Sequence, residues 1–168
     1  MEKSLTLDWG TDELHEECGV FGMYDLDGND VASTIYYGLF ALQHRGQESC
    51  GIAVSDTYGP KGVVNACKGM GLCNEVFTSE KLEKLKGNIG VGHVRYSTDG
   101  GNEIENVQPI MVRAHTGHFG AVHNGQIVNA SELKEELENL GSIFQGSSDS
   151  EIMLHLIQRE AGTFVEKI

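Results

Sequence analysis

Basic residues are scarce: 12 lysines and arginines stand against 25 aspartates and glutamates, a formal net charge of −13. Nucleic acid and anionic lipid are both gripped through a basic face, so this balance excludes either as an electrostatic partner. No uncharged apolar run approaches the ~18 residues that a membrane helix needs. Nor is there a secretory signal, because the first seventeen residues hold six acids, one lysine and no apolar block. With no such signal, the four cysteines read as reduced thiols of a cytoplasmic protein, not as a disulfide framework. Proline is nearly missing, with two residues, whereas glycine reaches 22.

The 168 residues suffice for one domain with a real core, since a chain of ~150 residues buries roughly 70% of its unfolded surface. Glycine recurs beside short β-branched runs, as at 51–54 and 90–94, which fits the tight turns and close approaches of antiparallel sheet. Strands are predicted at 18–24, 51–57, 63–68, 89–96, 110–114 and 119–123, with a short one at 126–128. Val31, Ile35, Leu39 and Leu42 fall at helical spacing and predict a helix over 31–43. A charged stretch at 79–86 is weakly helical and is stopped by Gly87. Asn129 with Glu132, and Ser148 with Glu151, have the capping-box spacing and predict two later helices. The first carries Leu133, Leu137 and Leu140 on one face and ends at Gly141, and the second pairs Ile152 with Leu156 and Met153 with Ile157. Helices in groups, without strict βαβ alternation, define an α+β domain. Residues 1–17 read as an acidic leader, and 163–168 end without a terminator, so the domain is expected to be C-terminally truncated.

Cys67 and Cys73 lack paired histidines, and His115 and His118 lack a third ligand, so no metal site is expected. Cys50, before Gly51, reads as a small buried hydrophobe. Cys18 differs, because it sits where the acidic leader meets the first strand. Spacing alone leaves open a catalytic pair of Cys18 with His93 or His123. Residues 87–92 lack the lysine and following helix of a phosphate-binding loop. Three polar clusters fall at strand or helix ends: 93–98 with Arg95, His123-Asn124-Gly125, and Ser147-Ser148-Asp149. An arginine fork holds a carboxylate bidentately, an aspartate can accept from an ammonium, and an Asn-Gly turn can offer two donors to an oxyanion. Taken singly, each cluster reads equally as a surface arginine, a hairpin turn or a helix cap.

Taken together and in order, these words resemble one family. Cys18-Gly19-Val20-Phe21-Gly22, Gln43-His44-Arg45-Gly46-Gln47-Glu48, Gly92-His93-Val94-Arg95-Tyr96-Ser97-Thr98, His123-Asn124-Gly125 and Ser147-Ser148-Asp149-Ser150-Glu151 are similar to the glutaminase domain of class II glutamine amidotransferases. Residues 43–48 are most similar to the amidophosphoribosyltransferase branch. The resemblance spans Glu17 to about Arg159 and implies an N-terminal-nucleophile fold, a four-layer αββα sandwich of two antiparallel sheets. It implies that residues 1–17 are a propeptide and that residues 18–168 are the amidotransferase domain, with the phosphoribosyltransferase domain absent. Cys18 is then the nucleophile, its freed α-amine the base, and Asn124 with the Gly125 N–H the oxyanion donors. Arg95 is implied to hold the α-carboxylate of L-glutamine with Thr98 and main chain near Arg45 and Gly46, and Asp149 the α-ammonium. Asp99 departs from the small residue common at its place. The resemblance implies no cofactor in this chain, since Mg and an iron–sulfur cluster belong to the part of the parent enzyme that is missing here. It further implies a homo-oligomeric parent whose ammonia aminates phosphoribosyl pyrophosphate in purine synthesis. The pure chain, having no phosphate loop, is expected to consume none of that substrate. The competing readings are the glutaminase domain of another class II amidotransferase and an inactive truncated fragment that only binds glutamine.

Overall fold

The computed structural model describes residues 17–96, 103–115 and 117–160. Thr98, Asp99, residues 1–16 of the expected leader and the unterminated end at 163–168 lie outside the described residues.

Strands Gly19–Tyr24 (β1), Ser49–Ser55 (β2), Asn65–Met70 (β3) and Ile89–Arg95 (β4) form one antiparallel sheet in the order β1-β4-β2-β3. Ile110–Ala114 (β5) pairs with Gly117–Ala121 (β6) in a second antiparallel sheet. The helices are Ala32–Ala41 (α1), Cys73–Val76 (α2), Ser79–Lys84 (α3), Ala130–Asn139 (α4) and Ser150–Arg159 (α5).

Side chains alternate across a strand, so each face of the larger sheet has its own job. On one face Cys50, Ile52 and Val54 of β2 join Val94 of β4 under Ile35 and Leu39 of α1, and each is at most 1% exposed. A fully buried aliphatic side chain of this size contributes about 1.5–3 kcal/mol. Gly90 and Gly92 lie on the same face. A Cβ on Gly92 would sit 2.7 Å from both Ile35 and Leu39, so glycine lets α1 settle directly on the sheet. The opposite face carries Gly51, His93 and Arg95, with Gly51 opposite His93 in the register. A Cβ on Gly51 would meet the Gln108 carbonyl at 2.2 Å, which places the entry to the second sheet against this face. Helix α5 packs on β5 and β6, and α4 packs on α5. The layer order is helix, sheet, sheet, helix, the αββα sandwich expected from the motifs.

Several local expectations need correction. Residues 126–128 form no strand, because the Ile127 N–H is taken by the Asp149 carboxylate at 2.7 Å instead of by a neighbouring strand. The Asn129 side chain caps nothing, and α4 buries only Leu137 while Leu140 is 58% exposed. Helix α5 starts after Asp149, not after Ser148. The Glu151 carboxylate does not close a capping box but turns back to accept from the N–H groups of Gln145 and Gly146, each at 2.9 Å. The short α2 was not legible in the periodicity, having a single turn.

Candidate active site

The 3-10 turn Gln43–Arg45 forms a cradle for the residue that opens β1. The Arg45 carbonyl accepts from the Cys18 N–H at 3.0 Å, and Arg45 Nε donates to the Cys18 carbonyl at 2.7 Å. Gln43 braces the turn, its Nε2 donating to the Gly46 carbonyl and its Oε1 accepting from the Cys73 N–H at 2.7 Å. Gly46 packs so tightly on β4 that a Cβ would lie 2.6 Å from the Val94 main chain. Cys18 itself has φ of 57°, in the left-handed region that residues with a Cβ seldom adopt. Its thiol meets the main chain of Tyr96, with Sγ 3.5 Å from both the carbonyl oxygen and the N–H nitrogen. Burial pushes the thiol pKa up, Glu17 and Glu48 push the same way, and the Tyr96 main chain and the Arg95 charge oppose them. A thiol so placed needs a base to become a nucleophile.

Cys18 and Arg95 open onto a cavity of about 590 Å³ that is also lined by His123, Asn124, Gly125 and the start of α5. This volume is ample for an amino acid. Asn124 turns its side-chain amide toward Cys18, with Nδ2 3.5 Å from the Cys18 carbonyl. One oxygen of Asp149 accepts from the Ile127 N–H, which fixes the carboxylate and leaves its second oxygen for another donor. The cavity thus brings Cys18, Arg95, the adjacent Asn124 and Gly125, and Asp149 together from four separate stretches of sequence. Arg45 and Gly46 do not line it. The Arg45 carbonyl is engaged by Cys18, and the Gly46 N–H donates to the Gln43 carbonyl at 3.2 Å.

Two lining residues escaped the sequence reading. Asn106, 2% exposed, accepts from the N–H groups of Ser147 and Ser148 at 2.9 and 3.0 Å and donates to Ser147 Oγ at 2.8 Å. It shapes the loop that delivers Asp149. Gln108, 7% exposed, accepts from the His123 N–H at 2.6 Å and donates to the His123 carbonyl at 3.1 Å. Their partners lie far along the chain, so no local spacing marks them. The only available signal was a pair of amides, Asn106 and Gln108, flanking an apolar residue before a strand.

Neither histidine pairs with the thiol. His123 lines the cavity, and its Nδ1 faces Ser150 Oγ at 3.5 Å. His93 is fully buried on the inner face of β4, and neither ring nitrogen has a hydrogen-bond partner among the described residues. Burial above all, with the nearby Arg95 charge and His123 ring, drives its pKa down to about 4 against the pull of the His123 main chain. The unfolded chain regains a histidine pKa of ~6.5. Between these values the unfolded state binds a proton that the folded state refuses, so stability is full above pH 6.5 and falls as pH drops toward 4. The expected loss is about 3 kcal/mol. Denaturant unfolding across this window checks it: His93→Phe should remove most of that one-proton slope, and an unchanged slope would assign the acid sensitivity elsewhere. Among the described residues no group of three or more histidine, cysteine, aspartate or glutamate side chains could hold a metal ion. No helix among them is long and apolar enough to cross a membrane.

A two-sheet sandwich that presents a cysteine at the first strand, with an Asn-Gly turn lining the same amino-acid-sized cavity, defines a glutamine amidotransferase domain of the N-terminal-nucleophile class. A family model described as a glutamine amidotransferase domain matches residues 93–168. The chain belongs with the amidotransferase domains that form the N-terminal part of amidophosphoribosyltransferases. It is 52% identical over 156 residues to the amidophosphoribosyltransferase of Bacillus subtilis, covering 92% of this chain and 31% of the relative. The enzyme of that name from Methanocaldococcus jannaschii is 49% identical over 151 residues, covering 90% and 31%. The solved glutamine phosphoribosylpyrophosphate amidotransferase of B. subtilis, complexed with ADP and GMP, superposes with a TM-score of 0.78 at 46% identity, covering 89% of this chain and 31% of that one. The chain therefore spans about a third of the length of the relatives it matches.

Proposed function

We propose that this chain hydrolyses the side-chain amide of L-glutamine through Cys18, after release of residues 1–17. The convergence of Cys18, Asn124, Arg95 and Asp149 on one cavity carries this reading. While Glu17 is attached, the nitrogen of Cys18 is an amide and takes no proton. Freed, an α-amine has a pKa of ~7.7–8.0 and can serve as general base near neutral pH. The thiol proton passes to that amine as Sγ attacks the amide carbon of glutamine. Asn124 Nδ2 and the Gly125 N–H stabilise the oxyanion of the tetrahedral adduct. Collapse of the adduct, with the proton returned to the leaving nitrogen, releases ammonia and leaves a γ-glutamyl thioester. Water then adds to the thioester with its proton taken by the same amine, and glutamate departs as the thiol is restored.

Arg95 and Asp149 hold the two charged ends of the substrate, which sets the amide against Sγ and supplies much of the orientation benefit. Thr98 assists at the carboxylate. In the parent protein, the ammonia aminates phosphoribosyl pyrophosphate to phosphoribosylamine, the first committed step of purine synthesis. We place that protein in the cytoplasm as a homo-oligomer without nucleic-acid partners, and assign no cofactor to this chain.

An electrophilic glutamine analogue, such as a γ-diazo ketone, tests the assignment. It should alkylate Cys18 and spare the fully buried Cys50 and Cys73 and the half-buried Cys67. Peptide mapping that found the label on one of those three, with Cys18 untouched, would sink the proposal. A second expectation concerns the two charged anchors. Arg95→Lys keeps the charge but loses the planar fork, and Asp149→Asn leaves the ammonium without a counter-charge. Each should lower kcat/KM for glutamine about 10–100-fold, the range for a lost hydrogen bond to a charged group. Normal kinetics in both variants would mean the substrate lies elsewhere.

A further inference from the structure

The turn that presents the oxyanion donors has no regular secondary structure of its own. Residues 122–127 follow β6 as irregular chain, so something other than a ladder must hold Asn124 and Gly125 to the sub-ångström tolerance that transition-state stabilisation requires. The described structure supplies one candidate. Gln108 Oε1 accepts from the His123 N–H at 2.6 Å, and its Nε2 donates to the His123 carbonyl at 3.1 Å. A single planar amide thereby fixes both peptide groups flanking His123, the residue immediately before Asn124. The same Nε2 lies 3.3 Å from Ser150 Oγ, one residue beyond Asp149. The main chain of Gln108 is seated on Gly51, in the sheet that also bears Arg95. One buried side chain thus joins the oxyanion turn, the ammonium-side helix start and the arginine-bearing sheet.

We propose that Gln108 is a positioning residue for the transition state, acting through its grip on the His123 main chain to aim the Asn124 amide and the Gly125 N–H at the developing oxyanion. The inference rests on the reading of Asn124 and Gly125 as the oxyanion donors. It goes beyond that reading because Gln108 touches neither the thiol nor the reacting amide. The Asp149 carboxylate has its own anchor on the Ile127 N–H and Arg95 stays on β4, so ground-state binding of glutamine is expected to persist while the chemical step suffers. A residue that merely satisfied buried main-chain groups would cost stability and would show no such selectivity.

A double-mutant cycle decides between the two, using glutamate release by the full-length chain freed at Cys18. Gln108→Leu should lower kcat about 30–100-fold, approaching the cost of removing one oxyanion donor directly, with KM for glutamine within about threefold of normal. In an Asn124→Ala background the same change should cost at least about threefold less than in the parent, because one of the two groups it aims is gone. Gln108→Glu keeps the acceptor for the His123 N–H and loses the donors, so its kcat should fall between the parent and the leucine variant. If the leucine variant does not fold, the glutamate variant run through the same cycle carries the test. An equal loss of kcat in both backgrounds, or a loss confined to KM, overturns the inference and leaves the oxyanion assignment standing. Full activity in Asn124→Ala alone overturns the oxyanion assignment itself.

Discussion

Cys18→Ala should reduce glutamine hydrolysis to the level of the uncatalysed control, a loss of about 10⁴-fold or more, as nucleophile removal costs in comparable covalent catalysis. The magnitude follows from the chemistry: with no sulfur there is no thioester, and neither Asn124 nor Arg95 can substitute for a bond that never forms. Folding should be nearly unaffected, since Cys18 lies outside the cluster of Ile35, Leu39, Ile52 and Val94. Glutamate release measured beside a thermal melt separates the two effects. Retained hydrolysis in a variant of normal stability would remove Cys18 from the mechanism.

Release of residues 1–17 should have an effect of similar size. Protein with Glu17 still attached has no amine to take the thiol proton, and Glu17 itself raises the thiol pKa. Such protein is expected to hold glutamine in the cavity, with a glutamine-dependent rise in melting temperature, and to release almost no glutamate. A version encoded to begin Met-Cys18, with the methionine removable in the cell, should be active at once. Intact mass and glutamate release, read on one sample, settle the matter. Full activity in material whose mass retains Met1 to Glu17 would defeat the amine-as-base mechanism.

The legible parts of this molecule were those whose cause is local. Val31, Ile35 and Leu39 announce α1 because a helix buries one stripe, and all three are at most 1% exposed. The alternation around Gly90 and Gly92 announces β4 because only a strand uses every second position. The site was legible in another way: Cys18, Arg95, Asn124 and Asp149 could be named from ordered motifs, although nothing in their spacing says that they meet. Failures came where a distant group outbid the local one. Ser148 and Glu151 have capping-box spacing, yet Glu151 finds two N–H donors in the loop at 145–146 and turns there. Residues 126–128 have the composition of a strand, yet their central N–H belongs to Asp149. Asn106 and Gln108 were invisible for the same reason, since an amide that serves main chain 41 or 15 residues away leaves no local trace.

The backbone at Cys18 carries a consequence for the direction of the proposed cleavage. A left-handed conformation costs a residue with a Cβ roughly 1–2 kcal/mol, and φ of 57° is measured against the carbonyl carbon of Glu17. Scission of the Glu17–Cys18 bond would delete that carbon and replace it with hydrogen, so the torsion would cease to be crowded. The hydrogen bond to the Arg45 carbonyl, 3.0 Å away, needs only an N–H and survives the exchange of amide for amine. Under the proposed cleavage the uncut chain would behave as a cocked ratchet: one tooth under load before the cut and slack after it. Rejoining the two ends would mean reloading it, an opposing factor of about 30 at the upper end of that range.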